Sequence, residues 1–511
     1  MNGDPIRKIV IIGGGTAGWM AAAATSRILG GFPGLKIELV ESEAIGTVGV
    51  GEATIPQIIA FNKLLGIDEA EFMRETHATY KLGIEFVDWL RIGHRYVHPF
   101  GSYGIDMLGI QFHHFWLRGQ QSGVAVPLDE FSISAVAGKA GKFIHPRADQ
   151  PNSPLARMAY AFQFDAGRYA RFLRKRAEAQ GVLRTEGRIV EVLQNSETGF
   201  VTGVRLESEE VVEGDLFLDC SGFRSLLLGQ TLGVGFTDWS KWLPCDRAIA
   251  MPCSLAGDDE PLTRSTAQSA GWQWRIPLQH RIGNGHVYSS AHMDDGEAEG
   301  ILRAGLDGEP LAEPNRIRFT AGHREKIWEK NVVALGLSGG FLEPLESTAI
   351  HLVQSGIARL MILFPTRAFE PKEIDRFNRE TFADYVDIRD FLVLHYKATE
   401  RDDSEFWRYC RELAPPDGLL EKLEMFRSSG RIIREHNELF TEASWLAVMA
   451  GQGVEASGYH PAAALLDEDE TRRRLGHIRD TVAQTVSRMP TQAEYLVGIG
   501  GAIAKSDFAR A

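Results

Sequence analysis

The stretch Lys8–Gly18, KIVIIGGGTAG, decides the fold of this chain. Its first five residues are mostly β-branched, which predicts a buried strand, and a GxGxxG loop follows at once. The helix-forming run Ala17–Leu29 comes next, and a second strand is predicted over Leu35–Val40, just before Glu41. The order strand, glycine loop, helix, strand, acid is typical of a dinucleotide-binding α/β module. We therefore expect a dinucleotide to bind at this loop.

Each part of the loop has a predicted role. Gly13 makes the tight turn, Gly15 lets the backbone approach a pyrophosphate, and Gly18 permits close packing of helix on strand. The helix N-terminus faces the phosphates, and Glu41 can accept hydrogen bonds from ribose hydroxyls. The residues expected to bind the cofactor here are Gly13, Gly15, Thr16, Ala17, Gly18 and Glu41.

A second glycine cluster near the end of the sequence lacks this context. Gly498–Gly501 has no strand before it, and Ile503 stands where the third glycine belongs. We predict a terminal loop there. One dinucleotide site is therefore expected, without a separate site for NAD(P)H.

Composition sets broad limits on function. The 511 residues are 44% apolar and 24% charged, which excludes a disordered or collagen-like chain. A net charge of −13 disfavours a general binder of nucleic acid or of anionic membranes. The four cysteines form no CxxC pair, so neither a zinc ribbon nor a disulfide framework is indicated. No apolar run approaches the length of a membrane span, and we expect a reduced cytoplasmic enzyme without a metal site.

Apolar patterns predict further elements along the chain. The expected helices are Ile67–Met73, Arg157–Gln180 and Thr348–Phe364. The expected strands are Tyr80–Trp89, Val182–Arg188, Val201–Leu206, Val211–Asp219 and Asn331–Leu337. Residues 94–150 indicate loops, and residues 371–490 are predicted to be mostly helical. Interleaved strands and helices followed by a helical portion predict an α/β fold.

Three further segments make the sequence specific. They are Gly49–Pro56 (GVGEATIP), Gly271–Pro277 (GWQWRIP) and Leu337–Thr348 (LSGGFLEPLEST). Together with GxGxxG, this set resembles the flavin-dependent tryptophan halogenase family over most of the chain. The WxWxIP segment distinguishes this family from the single-component flavin hydroxylases, which share the glycine fingerprint but lack this segment. The resemblance implies a Rossmann-like flavin module of the single-component-monooxygenase type with a mostly helical substrate module.

The resemblance also implies a reaction. In that family, FAD as FADH2 reacts with O2 and a halide (chloride or bromide) to give hypohalous acid. The acid passes through an internal channel to a lysine beside an aromatic substrate, which undergoes electrophilic substitution. Because no NAD(P)H site is visible, a separate flavin reductase is the implied partner. The implied barrier between flavin and substrate is Trp272, Trp274, Ile276 and Pro277.

Two catalytic residues follow from the resemblance. The family's lysine falls on Lys81, and burial of this amine would bring its pKa towards neutrality. The family's carboxylate falls on Glu346, expected to accept the ring proton or to hold and polarise the oxidant. From the residues alone, Lys81 in an alternating strand and Glu346 at a helix start also fit a surface lysine and a helix-capping acid.

The remaining site residues come from the same resemblance. The halide site falls on Thr348 and Ala349, where backbone N–H groups at a helix start suit an anion. Relatives carry glycine at the position of Ala349, which leaves the halide preference open. Additional cofactor contacts are expected at Gly51, Ala53, Asp219 and Gly222.

The substrate pocket differs from that of enzymes acting on free tryptophan. His98 and Phe100 match the residues that sandwich the indole ring, and Phe440 stands where the family has an aromatic wall. The segment 431–436 is short and lacks the tyrosine- and acid-rich pattern that binds the amino acid's charged groups. We expect free tryptophan to be a poor substrate, with simple indoles or a larger aromatic compound preferred.

These expectations divide the chain into two modules. The flavin module is predicted over residues 1–93, 150–235 and 315–370, and the substrate module over residues 94–149, 236–314 and 371–511. Two alternatives remain open: an aromatic hydroxylase, and a non-catalytic flavin-binding sensor. The protein is expected to be a monomer or homodimer.

Overall fold

The computed structural model describes residues 3–45, 51–124, 126–257, 260–435 and 438–504. The strands are β1 (Lys8–Ile12), β2 (Lys36–Glu41), β3 (Gly51–Ala53), β4 (Thr79–Lys81), β5 (Gly83–Val87), β6 (Arg95–Pro99), β7 (Ala161–Asp165), β8 (Leu183–Glu186), β9 (Ile189–Gln194), β10 (Val201–Leu206), β11 (Val211–Glu213), β12 (Leu216–Asp219), β13 (Phe236–Asp238), β14 (Arg247–Ala250), β15 (Thr263–Gln268), β16 (Gly271–Pro277), β17 (Ile282–Tyr288), β18 (Asn315–Arg318), β19 (Gly322–Arg324), β20 (Trp328–Glu329), β21 (Val332–Ala334) and β22 (Gly340–Phe341). The α-helices are α1 (Thr16–Leu29), α2 (Gln57–Leu64), α3 (Glu69–Glu75), α4 (Phe112–Gln121), α5 (Ile133–Lys139), α6 (Ala166–Ala179), α7 (Asp295–Ala304), α8 (Ala349–Ile362), α9 (Pro371–Lys397), α10 (Glu405–Glu412), α11 (Asp417–Ser429), α12 (Glu442–Gly451), α13 (Glu468–Ser487) and α14 (Gln492–Gly498).

The nucleotide-binding core is a six-stranded sheet in the order β20-β21-β12-β1-β2-β8. All its pairs are parallel except β20 with β21. Strand β1 is central and four of its five residues are buried, as expected for a parallel strand covered on both faces. Helix α1 follows it and packs against α6 and α8. The α/β class and the first strand, helix and strand are confirmed.

Two further sheets carry the GWQWRIP segment and Lys81. A seven-stranded sheet has the order β18-β14-β17-β16-β15-β5-β6, and a three-stranded sheet has the order β3-β7-β4. Strand β16 is the GWQWRIP segment, and all seven of its residues are buried. Helices α9 to α13 confirm the predicted helical C-terminal portion.

The strand predicted over Tyr80–Trp89 is wrong as a single element. It divides into β4 and β5, which lie in different sheets. The break falls at Leu82, whose N–H donates to the carbonyl of Pro261 at 2.7 Å. Gly83 is required beyond the break, because a Cβ there would lie 2.4 Å from the carbonyl oxygen of His98.

Other sequence predictions need similar corrections. The helix predicted over Arg157–Gln180 begins only with α6, because the preceding residues form β7 and Asp165 caps the helix. The strand predicted over Val211–Asp219 breaks at Gly214 into β11 and β12, which belong to different sheets. Residues 94–150 are less irregular than predicted, since they contain β6, α4 and α5. The strand predicted over Asn331–Leu337 is shorter in the structure, where β21 covers only Val332–Ala334.

The end of the chain agrees with the sequence prediction. Helix α14 ends at Gly498, and the glycine cluster that follows is a turn without a preceding strand. Among the described residues, no helix is long and apolar enough to cross a membrane. In the same part of the chain, no group of His, Cys, Asp and Glu side chains is arranged to hold a metal ion.

Candidate functional site

A cavity of about 620 Å³ opens beside the glycine loop and extends to the start of α8. Its size suits an organic cofactor or ligand. The predicted site residues that line it are Gly13, Gly15, Thr16, Ala17, Glu41, Gly51, Ala53, Gly222, Trp272, Trp274, Ile276 and Ala349. The cavity therefore joins the predicted cofactor loop, the paired indoles and the predicted halide position.

The glycine loop fits the diphosphate of a dinucleotide such as FAD. Gly13 has φ +106°, and a Cβ there would lie 2.4 Å from the carbonyl oxygen of Cys220. A Cβ at Gly18 would lie 1.9 Å from the carbonyl oxygen of Gly13, so this position packs helix on strand. A Cβ at Gly15 would meet open space, and no side chain caps the N-terminus of α1. Free N–H groups and room for close approach suit an anionic group.

Glu41 lies at the edge of the cavity, already engaged with arginines. Its carboxylate accepts from Arg184 Nε at 2.5 Å and from Arg174 Nη1 at 3.4 Å. A Cβ at Gly14 would lie 1.4 Å from Glu41 Oε2, so the carboxylate rests against the loop. Its contact with a ribose stays a prediction.

The carboxylate of Asp219 is bound by the adjacent turn, and its contact with a flavin stays a prediction. Its carboxylate accepts from the N–H groups of Leu227 and Leu228, both at 2.9 Å, and from the N–H of Ser221 at 3.1 Å. It thereby caps the turn that follows β12 and does not line the cavity. The neighbouring Cys220, Ser221 and Gly222 line the cavity instead.

Lys81 ends β4 and is completely buried. Its Nζ donates to Ser347 Oγ at 2.7 Å and lies 5.3 Å from the centre of the Phe100 ring. Burial lowers the pKa of Lys81 to about 7, against the opposing charge of Glu346. Lys81 does not line the large cavity but Ser347 does. Ser347 therefore connects the cavity to the amine.

Glu346 is a buried carboxylate between two imidazoles. His98 Nδ1 lies 2.9 Å from Oε2, and His395 Nε2 lies 2.9 Å from Oε1. Burial alone would raise the pKa of Glu346, but the two histidines lower it to about 2. The structure brings Lys81, Glu346 and His98 together, although they are far apart in sequence.

The paired indoles lie side by side on β16. The ring centres of Trp272 and Trp274 are 6.2 Å apart, and both residues line the cavity. Trp272 Nε1 donates to Glu343 Oε2 at 3.0 Å, and Tyr396 OH donates to the same oxygen. Burial raises the pKa of Glu343 to about 7, against these two hydrogen bonds. The Glu343 carboxylate thus holds the Trp272 ring in place.

Ile276 lines the cavity beside the indoles, whereas Pro277 is buried outside it. The carbonyl of Pro277 accepts from Thr79 Oγ1 at 2.6 Å. Pro277 therefore joins the indole strand to β4, which carries Lys81. Its assignment to the barrier stays a prediction.

The backbone at the start of α8 accommodates an alanine at position 349. The left-handed residue is Ser347, with φ +59°, whereas Ala349 is the first helical residue. An alanine is therefore compatible with this backbone. Ala349 lines the cavity and Thr348 does not, and no side chain caps this helix. The halide assignment stays a prediction.

The predicted substrate residues lie near Lys81 and Glu346: His98 contacts Glu346, and Phe100 lies beside Lys81. His98 and Phe100 are buried, as is Phe440, which stacks on Phe391 with ring centres 3.8 Å apart. The His98 and Phe440 ring centres are 6.4 Å apart. None of the three predicted residues lines the large cavity.

The segment 431–436 is described only up to residue 435, and its last residue, with residue 437, lies outside the described residues. Gly49 and Val50 of the GVGEATIP segment also lie outside them. The described part of the 431–436 segment has no helix or strand. The expectation about free tryptophan stays a prediction.

Sequence reasoning missed the contribution of α9. Phe391, His395 and Tyr396 all face this site, and Tyr396 and His395 bind the two buried acids of the LEPLEST run. A polar pair inside the apolar run FLVLHY was the available signal, because buried polar groups require partners. The partners themselves lie about fifty residues away and follow from no local pattern.

Comparisons with known proteins agree with this geometry. A family model described as tryptophan halogenase matches residues 8–468. The chain is 36% identical to a tryptophan 6-halogenase of Streptomyces toxytricini, covering 98% of this chain and 99% of that protein. A flavin-dependent halogenase from Xanthomonas campestris superimposes with a TM-score of 0.92 at 48% identity, covering 96% of this chain and 98% of that one. One from Brevundimonas sp. BAL3 gives 0.93 at 47%, covering 96% and 99%.

Proposed function

Because this chain belongs to the tryptophan halogenase family, we propose that it forms hypohalous acid in the large cavity and transfers the halogen through Lys81. Solved structures similar to this chain are flavin-dependent halogenases. The acceptor is an indole or another electron-rich aromatic compound. The observation that carries the proposal is the buried Lys81 amine, which contacts Ser347 at the end of a cavity that begins at the glycine loop.

The cofactor site is proposed for FAD in its reduced form. The residues that would hold it are the glycine loop and the N-terminus of α1, with Glu41 at the ribose. When bound, reduced FAD supplies the electrons with which O2 and chloride or bromide become hypohalous acid and water. A separate flavin reductase is the proposed source of reduced flavin.

Lys81 is suited to receive the oxidant at neutral pH. With a pKa of about 7, a large fraction of the amine is uncharged. The uncharged amine can displace water from hypohalous acid to form an N–halogen bond, and the ammonium form can instead donate a hydrogen bond to the acid's oxygen. Either form presents an electrophilic halogen beside His98 and Phe100, where the aromatic ring is proposed to bind.

Glu346 is proposed to complete the substitution. Attack of the ring on the halogen forms the new carbon–halogen bond and leaves a cationic ring. The bond that breaks is the N–halogen bond, which returns the Lys81 amine, or the O–halogen bond of the hypohalous acid, whose oxygen leaves as water with the proton of the ammonium form. Loss of the ring proton to the Glu346 carboxylate restores aromaticity. The low pKa of Glu346 keeps this carboxylate ionised at neutral pH, so it is ready to accept a proton and to stabilise positive charge.

The paired indoles are proposed to keep the organic substrate out of the cofactor cavity. Trp272 and Trp274 fill the face of β16 towards the cavity, and Glu343 fixes Trp272. The small oxidant would then be the species that passes between the two regions. A hydroxylase would need the opposite arrangement, with the aromatic ring beside the flavin.

The test is incubation of the protein with FAD, a general flavin reductase, NADH and either chloride or bromide. The panel contains indole, substituted indoles and free tryptophan, and mass spectrometry identifies the products. We expect monohalogenated indoles, with free tryptophan converted more slowly than indole. Oxygenated products formed without halide would establish the hydroxylase, and no product with any substrate would support the non-catalytic sensor. The control is Lys81→Met, which keeps the apolar stem and removes the amine.

A further inference from the structure

His395 is a completely buried histidine in the last turn of α9, among aromatic rings. The ring centres of Phe86 and Phe391 lie 4.8 and 5.3 Å from its own. Its Nδ1 is 2.8 Å from the carbonyl oxygen of Phe391. A carbonyl oxygen only accepts hydrogen bonds, so Nδ1 carries a hydrogen.

The other nitrogen of the ring faces a carboxylate. Nε2 lies 2.9 Å from Glu346 Oε1, which is close enough for an ion pair. The direction of an N–H on Nε2 does not point at this oxygen, so the contact is not a linear hydrogen bond. With a hydrogen on Nδ1, a neutral ring would place its electron-rich Nε2 beside an anionic oxygen, and both residues are completely buried. An imidazolium places a positive charge beside the carboxylate instead, which turns the repulsion into an attraction.

Lys81, the other basic residue near Glu346, forms its hydrogen bond with a serine and not with the carboxylate. Lys81 Nζ donates to Ser347 Oγ at 2.7 Å, and among the described residues no carboxylate oxygen lies within 4.0 Å of Nζ. The other groups that face Glu346 are His98 and Tyr96 on β6. His98 Nδ1 donates to the carboxylate, because a carboxylate only accepts, and this bond requires no charge on His98.

We propose that His395 is a positioning residue that stays protonated and serves as the counter-ion of Glu346. The negative charge of Glu346 is then balanced from α9 and not by Lys81. Lys81 is thereby left free to lose its proton, as transfer of halogen to its amine requires. The inference rests on the proposed function only for this last consequence, since the charge state of His395 is independent of turnover.

Helix α9 places this charge with little freedom. Tyr396, the next residue, donates to Glu343, and Glu343 and Glu346 stand at the two ends of one short turn. The carbonyl of His395 also accepts from Gln452 Nε2 at 2.6 Å. Adjacent residues of one helix therefore hold both acids, and Ser347 follows directly.

The direct test is nitrogen NMR of the full chain labelled with 15N in its histidine rings, from pH 6 to pH 9. We expect one imidazolium signal to persist at pH 8, to disappear in His395→Gln, and to titrate to the neutral form in Glu346→Gln. Absence of such a signal at pH 8 would overturn the proposal. Persistence in His395→Gln with loss in His98→Gln would also overturn it, because the charge would then belong to His98.

The functional readout is the pH profile of halogenation with indole. In His395→Gln the amide still donates an N–H but carries no charge, so Glu346 acts on Lys81 uncompensated. We expect the rising limb of the profile to move to higher pH by about one unit, a roughly tenfold loss at pH 6. A merely structural role would lower the profile at every pH equally and would contradict the proposal.

His286 provides the matched control. It is also completely buried and donates a ring N–H to a backbone carbonyl, that of Ala298 at 3.0 Å, without a carboxylate. His286→Gln should leave both the imidazolium signal and the pH limb unchanged. If the wild-type protein made no halogenated product, the proposed function would fail, while the NMR experiment would still decide the charge of His395.

Discussion

Replacing Ser347 with alanine tests the connection between the cavity and the amine. The substitution removes one hydroxyl that accepts from Lys81 Nζ at 2.7 Å, with both residues buried. A hydrogen bond to a charged group contributes about 1.5–3 kcal/mol, a range that applies to the ammonium form of Lys81. At about 1.4 kcal/mol for each factor of ten in rate, losing this alignment should lower halogenation by about 10- to 100-fold.

The assay measures halogenated indole per molecule of reduced flavin consumed. We expect flavin consumption to continue while this ratio falls, because the oxidant still forms but is no longer aligned with the amine. Ser347 has φ +59°, so Ser347→Gly serves as a control that removes the hydroxyl and relieves the backbone. Ser265→Ala is a matched control, since this buried serine lines the same cavity and its hydroxyl has no partner among the described residues. An unchanged ratio in Ser347→Ala would refute the reasoning.

Three further predictions concern the glycine loop and the two proposed catalytic residues, Glu346 and Lys81. Gly13→Ala should abolish FAD binding measured by fluorescence titration, because φ is +106° and the new Cβ would lie 2.4 Å from the Cys220 carbonyl oxygen; tight FAD binding would show that the loop tolerates a side chain. Glu346→Gln should lower halogenation about 100-fold, the scale for losing a positioned base, and single-turnover product formation at the wild-type rate would dismiss this role. Because the pKa of Lys81 is about 7, the uncharged amine falls from roughly nine-tenths at pH 8 to roughly one-tenth at pH 6. Halogenation through the amine should therefore fall about tenfold over that interval, and a flat profile would favour hydrogen bonding by the ammonium form.

The local parts of the fold could be predicted from the sequence. The strand, loop and helix from Lys8 to Leu29 follow from β-branched runs, glycines and helix formers, which act within a few residues of one another. The division of Tyr80–Trp89 could not be predicted in this way. It depends on Leu82 pairing with Pro261 and on Gly83 packing against His98, and both contacts join distant parts of the chain.

The residues of the candidate site also differ in how far they could be predicted from local sequence. Lys81, Glu346 and His98 were predicted because they stand within motifs of a known family, and the structure brings them into one buried group. Asp219 also stands in such a motif, yet its carboxylate is used by three backbone N–H groups of the adjacent turn. His395 lies in no motif and is recognised only from its contact with Glu346.

The most direct test of the account is Lys81→Met under conditions in which reduced flavin, O2 and bromide are supplied with indole. Free hypobromous acid is trapped by a diffusible scavenger, and enzyme-bound product is measured in the same sample. We predict that bromoindole formation is lost, whereas the scavenger captures the oxidant in an amount close to the reduced flavin consumed. Bromoindole formed at the wild-type rate by Lys81→Met would contradict the central role of this amine.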